Sequence, residues 1–121
     1  MKKILILIGA LVGAACSEKP PATPEQRWEG YCRSVGYAAR TISFDRINGI
    51  SLAEAKEHAN KIKDKTTLTL ISQQIEKIYA APIDELRADK DKTQEKYQQQ
   101  AFEQCLATPH DPNHMPDYKP F

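Results

Sequence analysis

From Glu25 onward the apolar residues recur at intervals of three and four and nowhere alternate, which restricts the chain to helices packed on helices. Between Glu25 and Arg46 they fall at Trp28, Tyr31, Cys32, Val35, Ala39 and Ile42, with Glu, Arg and Ser between them. Asn48-Gly49 then breaks the pattern, and Gly49 suits a helix C-cap. Ser51 with Glu54 three residues later makes a capping box for a short second helix, striped by Leu52, Ala55, Ala59 and Ile62. After a charged connection, Lys61 to Lys65, a third helix starts near Thr66 under a cap from Asp64 or Thr66. It carries Leu68, Ile71, Ile75 and Ile78, and Pro82 ends it because an interior proline clashes with the preceding turn. Ile83 and Leu86 anchor a polar stretch, Asp84 to Lys92, that reads as a loop or as an early start of the fourth helix. That last helix, Thr93 to Ala107, turns Tyr97, Ala101, Phe102, Cys105 and Leu106 inward and stops before Pro109. The sequence therefore predicts an all-α fold of four helices. A Pro-rich spacer precedes it, and a disordered C-terminal tail follows over 109–121.

The first sixteen residues differ in kind. Lys2 and Lys3 precede an apolar run, Ile4 to Val12, which is followed by Gly13, Ala14, Ala15 and Cys16. About nine strongly apolar residues are too few for a membrane-spanning helix, which needs about twenty. Ser17, Glu18, Lys19 and Pro20 are abruptly polar, so the segment has the form of a secretory signal. Its ending resembles the lipobox of bacterial lipoproteins, with Gly13 standing where that pattern usually has Leu. The resemblance implies a signal peptide over 1–15, diacylglycerol on the Cys16 thiol, and a lipidated cysteine with spacer over 16–24. Ser17 in place of Asp implies sorting to the outer membrane, facing the periplasm. Ordinary cleavage nearby would instead give a soluble periplasmic or secreted protein with a free Cys16.

Cleavage before Cys16 would remove two lysines and no acid, leaving 15 bases against 16 acids and a net charge of −1. Such a chain has no electrostatic footprint for nucleic acid. A helical domain over 25–108 is small enough to benefit from a staple. With Cys16 lipidated as the resemblance implies, Cys32 and Cys105 remain as a pair for a disulfide in an oxidising compartment. That pair also bears on helix count. Cys32 lies two turns into the first helix and Cys105 in the last turn of the last one. An even number of up-down helices brings those places together, whereas an odd number leaves them ~20–30 Å apart at the rise of an α-helix. A disulfide needs Cα atoms within about 7 Å. The expectation is a disulfide-stapled four-helix up-down domain.

Chemistry is sparse. His110 and His114 stand four apart near Asp111 and Asp117, but Pro109, Pro112 and Pro116 deny them a common helix face, so no metal site is expected. His58 sits beside the Ala55/Ala59 stripe and reads as a helix-edge residue. Carboxylate pairs such as Asp84/Glu85 and Glu54/Glu57 are those of any solvated helix, and no apolar pocket is foreseen to raise a carboxyl pKa. No nucleophile elbow, phosphate-binding glycine loop or Cys-x-x-Cys occurs. The chain is expected to be no enzyme and to hold no cofactor. Arg33, Tyr37 and Arg40 form the candidate partner surface, because exposed aromatic and Arg side chains are common interface anchors. An ordinary Glu29–Arg33 ion pair is the competing role for Arg33.

The Tyr31-Cys32…Cys105 layout resembles that of small two-cysteine helical envelope proteins of Gram-negative bacteria and their prophages, a likeness of architecture that transfers no residue role. The expected function is that of a lipid-anchored accessory or inhibitor which binds an envelope protein in the periplasm. Two alternatives are an exclusion or immunity lipoprotein of mobile-element origin and a bundle that binds a small ligand in its interior.

Overall fold

The computed structural model describes residues 20–111 and 113–116, so the signal, Cys16 and the start of the spacer lie outside the described residues. Five helices follow one another: α1 (Pro24–Ile47), α2 (Leu52–Ala59), α3 (Lys65–Ala80), α4 (Ile83–Ala88) and α5 (Lys90–Leu106). No strand occurs among the described residues. Nor is any helix there long and apolar enough to cross a membrane.

The caps explain where the helices begin and end. Thr23 and Gln26 form a reciprocal capping box at α1, with Pro24 placed where its missing N–H costs nothing. Gly49, at φ +94°, turns the chain out of α1 in the left-handed region that a side chain would resist. The Ser51 hydroxyl accepts from the Glu54 N–H at α2. At α3 the cap is Asp64, whose carboxylate takes the Thr67 N–H at 2.8 Å. Asp89 accounts for the fifth helix. Its extended backbone (φ −147°, ψ 94°) closes α4, and its carboxylate accepts the Lys92 N–H to open α5. The stretch expected as a loop or an early helix start is thus a separate six-residue helix, and α5 begins at Lys90 rather than Thr93.

α1 is the axis of the fold. α5 runs antiparallel to it, with Cys32 joined to Cys105 (Cα–Cα 5.3 Å) at one end and Arg40 donating to Gln98 at 3.1 Å further along. α3 runs parallel to α1, with Tyr31 and Thr67 hydroxyls 2.8 Å apart near its start and Arg46 donating to the Ala81 carbonyl at its end. α2 runs back along α3, tied by Lys56–Glu76 at 2.9 Å. α4 plugs the base with Leu86, while Arg87 donates to the Ile47 carbonyl.

Trp28, Tyr31, Val35, Ile42, Ile71, Ile75, Ile78 and Tyr97 make the core with the disulfide. Two expected core residues are not in it: Leu52 and Leu106 are exposed. Leu52 opens a helix whose buried side begins a turn later, and Leu106 closes α5 beyond the last residue that faces α1. Conversely, Leu70, Thr67 and Gln74 are buried, because α3 meets α1, α2 and α5 and so buries a wider arc than a single stripe. Gln74 donates to Gln104 and Gln104 to Gln73, both at 3.0 Å, a polar seam between α3 and α5. Part of the expected tail is in contact with the domain. The His110 ring stacks on Trp28 at 3.9 Å, and Met115 packs against the core.

Candidate functional site

Two surfaces stand out, on different sides of α1. The first contains the residues singled out from sequence. Arg33 is exposed, paired with Glu29 at 2.9 Å, and its guanidinium lies 5.9 Å from the Phe102 ring centre. Tyr37 is 55% exposed, whereas Arg40 is half-buried and occupied by Gln98. Together with Gln99 and Phe102, the first two line a shallow groove of about 220 Å³ along α5. Phe44, 52% exposed, extends this face by two turns beyond Tyr37 and was missed. Its spacing of seven from Tyr37 is the signal that places both on one side of α1.

The second surface is a cavity of the kind that the small-ligand alternative requires. A cleft of about 410 Å³ opens between α1, α2 and α3. Thr41, Ile42 and Asp45 line it from α1, Ile71, Ile75 and Tyr79 from α3, and Ala55, His58, Ala59 and Glu54 from α2, with Ile50 at its lip. Its origin is legible in side-chain size. α2 turns Ala55 and Ala59 toward isoleucines on its neighbours, and two methyl groups cannot fill the gap between helix axes about 8–10 Å apart. Interiors rarely leave voids larger than a water molecule, so a space of this size is a feature of the fold. The expectation that no apolar pocket adjoins the carboxylate pairs is therefore corrected at Glu54, and the cavity that the small-ligand alternative requires is present.

The lip is held by directed bonds. The Tyr79 hydroxyl donates to the Ile50 carbonyl at 2.8 Å. The Arg46 guanidinium lies 4.9 Å from the Tyr79 ring centre and donates to the Ala81 carbonyl, which leaves it committed on that flank. The Asp45 carbonyl accepts from the N–H groups of Asn48 and Ile50, closing the turn that carries Gly49. Burial raises the Asp45 carboxyl pKa above its ordinary value, with His58 pulling the other way. Burial also raises the Tyr79 phenol, helped by Asp45 and Glu54 and opposed by Arg46. His58 itself is exposed at the edge of α2, where the sequence put it.

The tail histidines diverge. His110 is stacked on Trp28, while His114 contacts the Asp111 carboxylate at 2.7 Å. That contact and the Asn113 N–H, which is the larger influence, hold the Asp111 carboxyl below its usual range. Among the described residues no group of three or more His, Cys, Asp or Glu converges on a point that would hold a metal ion. Comparison of the chain with protein-family models, curated proteins and solved structures gives no match.

Proposed function

We propose that the chain is a lipid-anchored envelope protein whose helical domain binds another envelope protein through the outer face of α1. The observation that carries the contact is the pair Tyr37 and Phe44, seven residues apart and each more than half exposed, flanked by Arg33. Large aromatics bury much area for few rotatable bonds, and Arg33 is already held in one geometry by Glu29, so docking here orders little that is not ordered beforehand. The anchor rests on the signal-like order of residues 1–16. The pairing of Cys32 with Cys105, which leaves Cys16 the one thiol outside the staple, agrees with it. An anchor on the outer membrane would hold the domain at high local concentration, so that a modest contact suffices. The four-helix up-down architecture belongs to the same proposal, with α4 and α5 counted as one leg bent at Asp89.

Mass spectrometry and membrane fractionation of wild type and Cys16→Ser test the anchor. An acyl mass increment and a membrane fraction that both vanish in the variant are expected. An unmodified wild type would refute the anchor. Cross-linked capture from native envelopes tests the contact. Recovery of one stoichiometric protein is expected, and its loss in Tyr37→Ala/Phe44→Ala ties it to this face. The cleft favours a second reading, a small-ligand binder, since its volume lies within the range of small-molecule sites, about 300–1,000 Å³.

A further inference from the structure

We propose that the cleft between α1, α2 and α3 is a binding site for a small organic cation with an apolar body, such as a protonated arylalkylamine. This names the ligand class for the small-ligand reading and is independent of the partner face on α1. The apolar body is specified by the walls. Ile42, Ile71 and Ile75 are core residues, Ala55 and Ala59 recede, and Ile50 covers one edge. These groups offer no hydrogen-bonding atoms beyond backbone already used within the helices, so they select hydrocarbon.

The charge is specified by the mouth. Two carboxylates, Asp45 and Glu54, stand there against a single imidazole, His58. Both carboxylates act on the Tyr79 hydroxyl, and Arg46 acts on it with the opposite sign. The guanidinium of Arg46 does not line the cleft: it lies over the Tyr79 ring and donates to the Ala81 carbonyl, so its positive charge opposes the two carboxylates from the flank without meeting a carboxylate itself. Lys56 is paired with Glu76. α1 ends and α2 begins at this mouth, so their dipoles oppose one another there and the side chains set its sign. Asp45 is the central group, half-buried at the border between hydrocarbon and water. A carboxylate there loses part of its hydration, and the attraction of His58 offsets only part of that loss, which leaves room for a closer cationic partner. An ammonium seated at the mouth would supply that partner while its body enters the apolar space. An anionic amphiphile would meet two like charges, and a neutral one would gain only the walls.

The test uses three probes that share a phenylalkyl body and differ in headgroup: 2-phenylethylamine, 2-phenylethanol and 3-phenylpropionate. The full-length Cys16→Ser chain is titrated at neutral pH, with the methyl resonances of Ile42, Ile50, Ile71 and Ile75 as the readout. The amine is expected to shift these methyls saturably and to bind about tenfold more tightly than the alcohol, with the carboxylate weakest. Asp45→Asn should bring the amine down to the alcohol's affinity and leave the alcohol unchanged. Ala55→Leu, which fills the cleft from its rim, should abolish binding of all three while helical circular dichroism is retained. Equal binding of the three probes, or tightest binding by the carboxylate, would overturn the cation assignment. Absence of shifts at these methyls would overturn the site, as would binding that survives Ala55→Leu. Capture of a protein partner through Tyr37 and Phe44 is scored separately and should be unaffected by Ala55→Leu, so the two proposals fail independently.

Discussion

The two sides of α1 are built on opposite plans. Toward α5 the helices are pressed together: Cys32 is bonded to Cys105, and Gly36 lets the backbones approach so closely that a Cβ there would sit 2.9 Å from the Gln98 carbonyl. Toward α2 the packing is incomplete, with Ala55 and Ala59 leaving a cleft and an eight-residue helix held by its cap and a few side-chain bonds. Covalent closure on one side makes incomplete packing on the other affordable. A domain this small has about 5–15 kcal/mol of stability in total, and an under-filled seam costs several of them.

The largest effect that would break this contrast is on the staple. The bridge closes a loop of 73 residues, and its removal frees the unfolded chain by about 4 kcal/mol of loop entropy. Urea unfolding of Cys32→Ser/Cys105→Ser, or of reduced wild type, should give an unfolding free energy lower by that amount, with the midpoint moved to lower urea. An unchanged midpoint would mean that the α1–α5 packing holds without the bond.

Next in size is Gly36→Ala. The added Cβ meets backbone at 2.9 Å and the Phe102 Cβ at 3.3 Å, so α1 and α5 must part, at a cost of about 2 kcal/mol. Gly30, on the same helix, provides the control. Nothing lies within 4 Å of its Cβ position, so Gly30→Ala should stabilise by about 0.7 kcal/mol through helix propensity alone. Thermal melts of the two variants should therefore move in opposite directions.

Much of this contrast was legible in the sequence, and the failures have physical causes. The all-α class follows from spacing alone, and the pairing of Cys32 with Cys105 follows once Cys16 is assigned to a lipid. Trp28, Tyr31, Ile71, Ile75 and Ile78 are where their periodicity places them. The break at Asp89 was hidden because one residue both ends α4 and caps α5, and a capping Asp in a polar run looks like any other solvated Asp. Gln74 and Thr67 were missed because hydropathy hides a buried polar group whose partners, Gln104 and Tyr31, come from elsewhere in the chain. The many alanines leave room for a cavity, but its place was hidden because an alanine stripe announces a helix face without saying what lies opposite. Residue 55 facing isoleucines is a tertiary fact.

The open side can be probed without touching the pressed one. Ser51→Ala removes the oxygen that accepts the Glu54 N–H and should cost about 1 kcal/mol. Hydrogen exchange sharpens the comparison. Amides of α2 should exchange faster in the variant while those of α5 keep their protection, because α2 opens as a local unit. Equal acceleration in both helices would show that α2 is as tightly coupled to the core as α5.

The smallest effect concerns Asp45, and its sign is diagnostic. Burial lifts its folded pKa above the ordinary 3.8, so between those two values the folded chain holds more proton than the unfolded one. That contribution to stability is fully present below the unfolded value and is lost as pH rises through the folded one. A salt-bridged carboxylate would show the opposite slope. Because Asp45 is half-exposed, water screens much of the effect. It should be read as a difference: Asp45→Asn ought to gain on wild type, in urea midpoint, as pH rises from below 3.8 toward neutral. If wild type gains instead, the attraction of His58 outweighs dehydration at the mouth, and the open side is held together by an ion pair where dehydration was inferred.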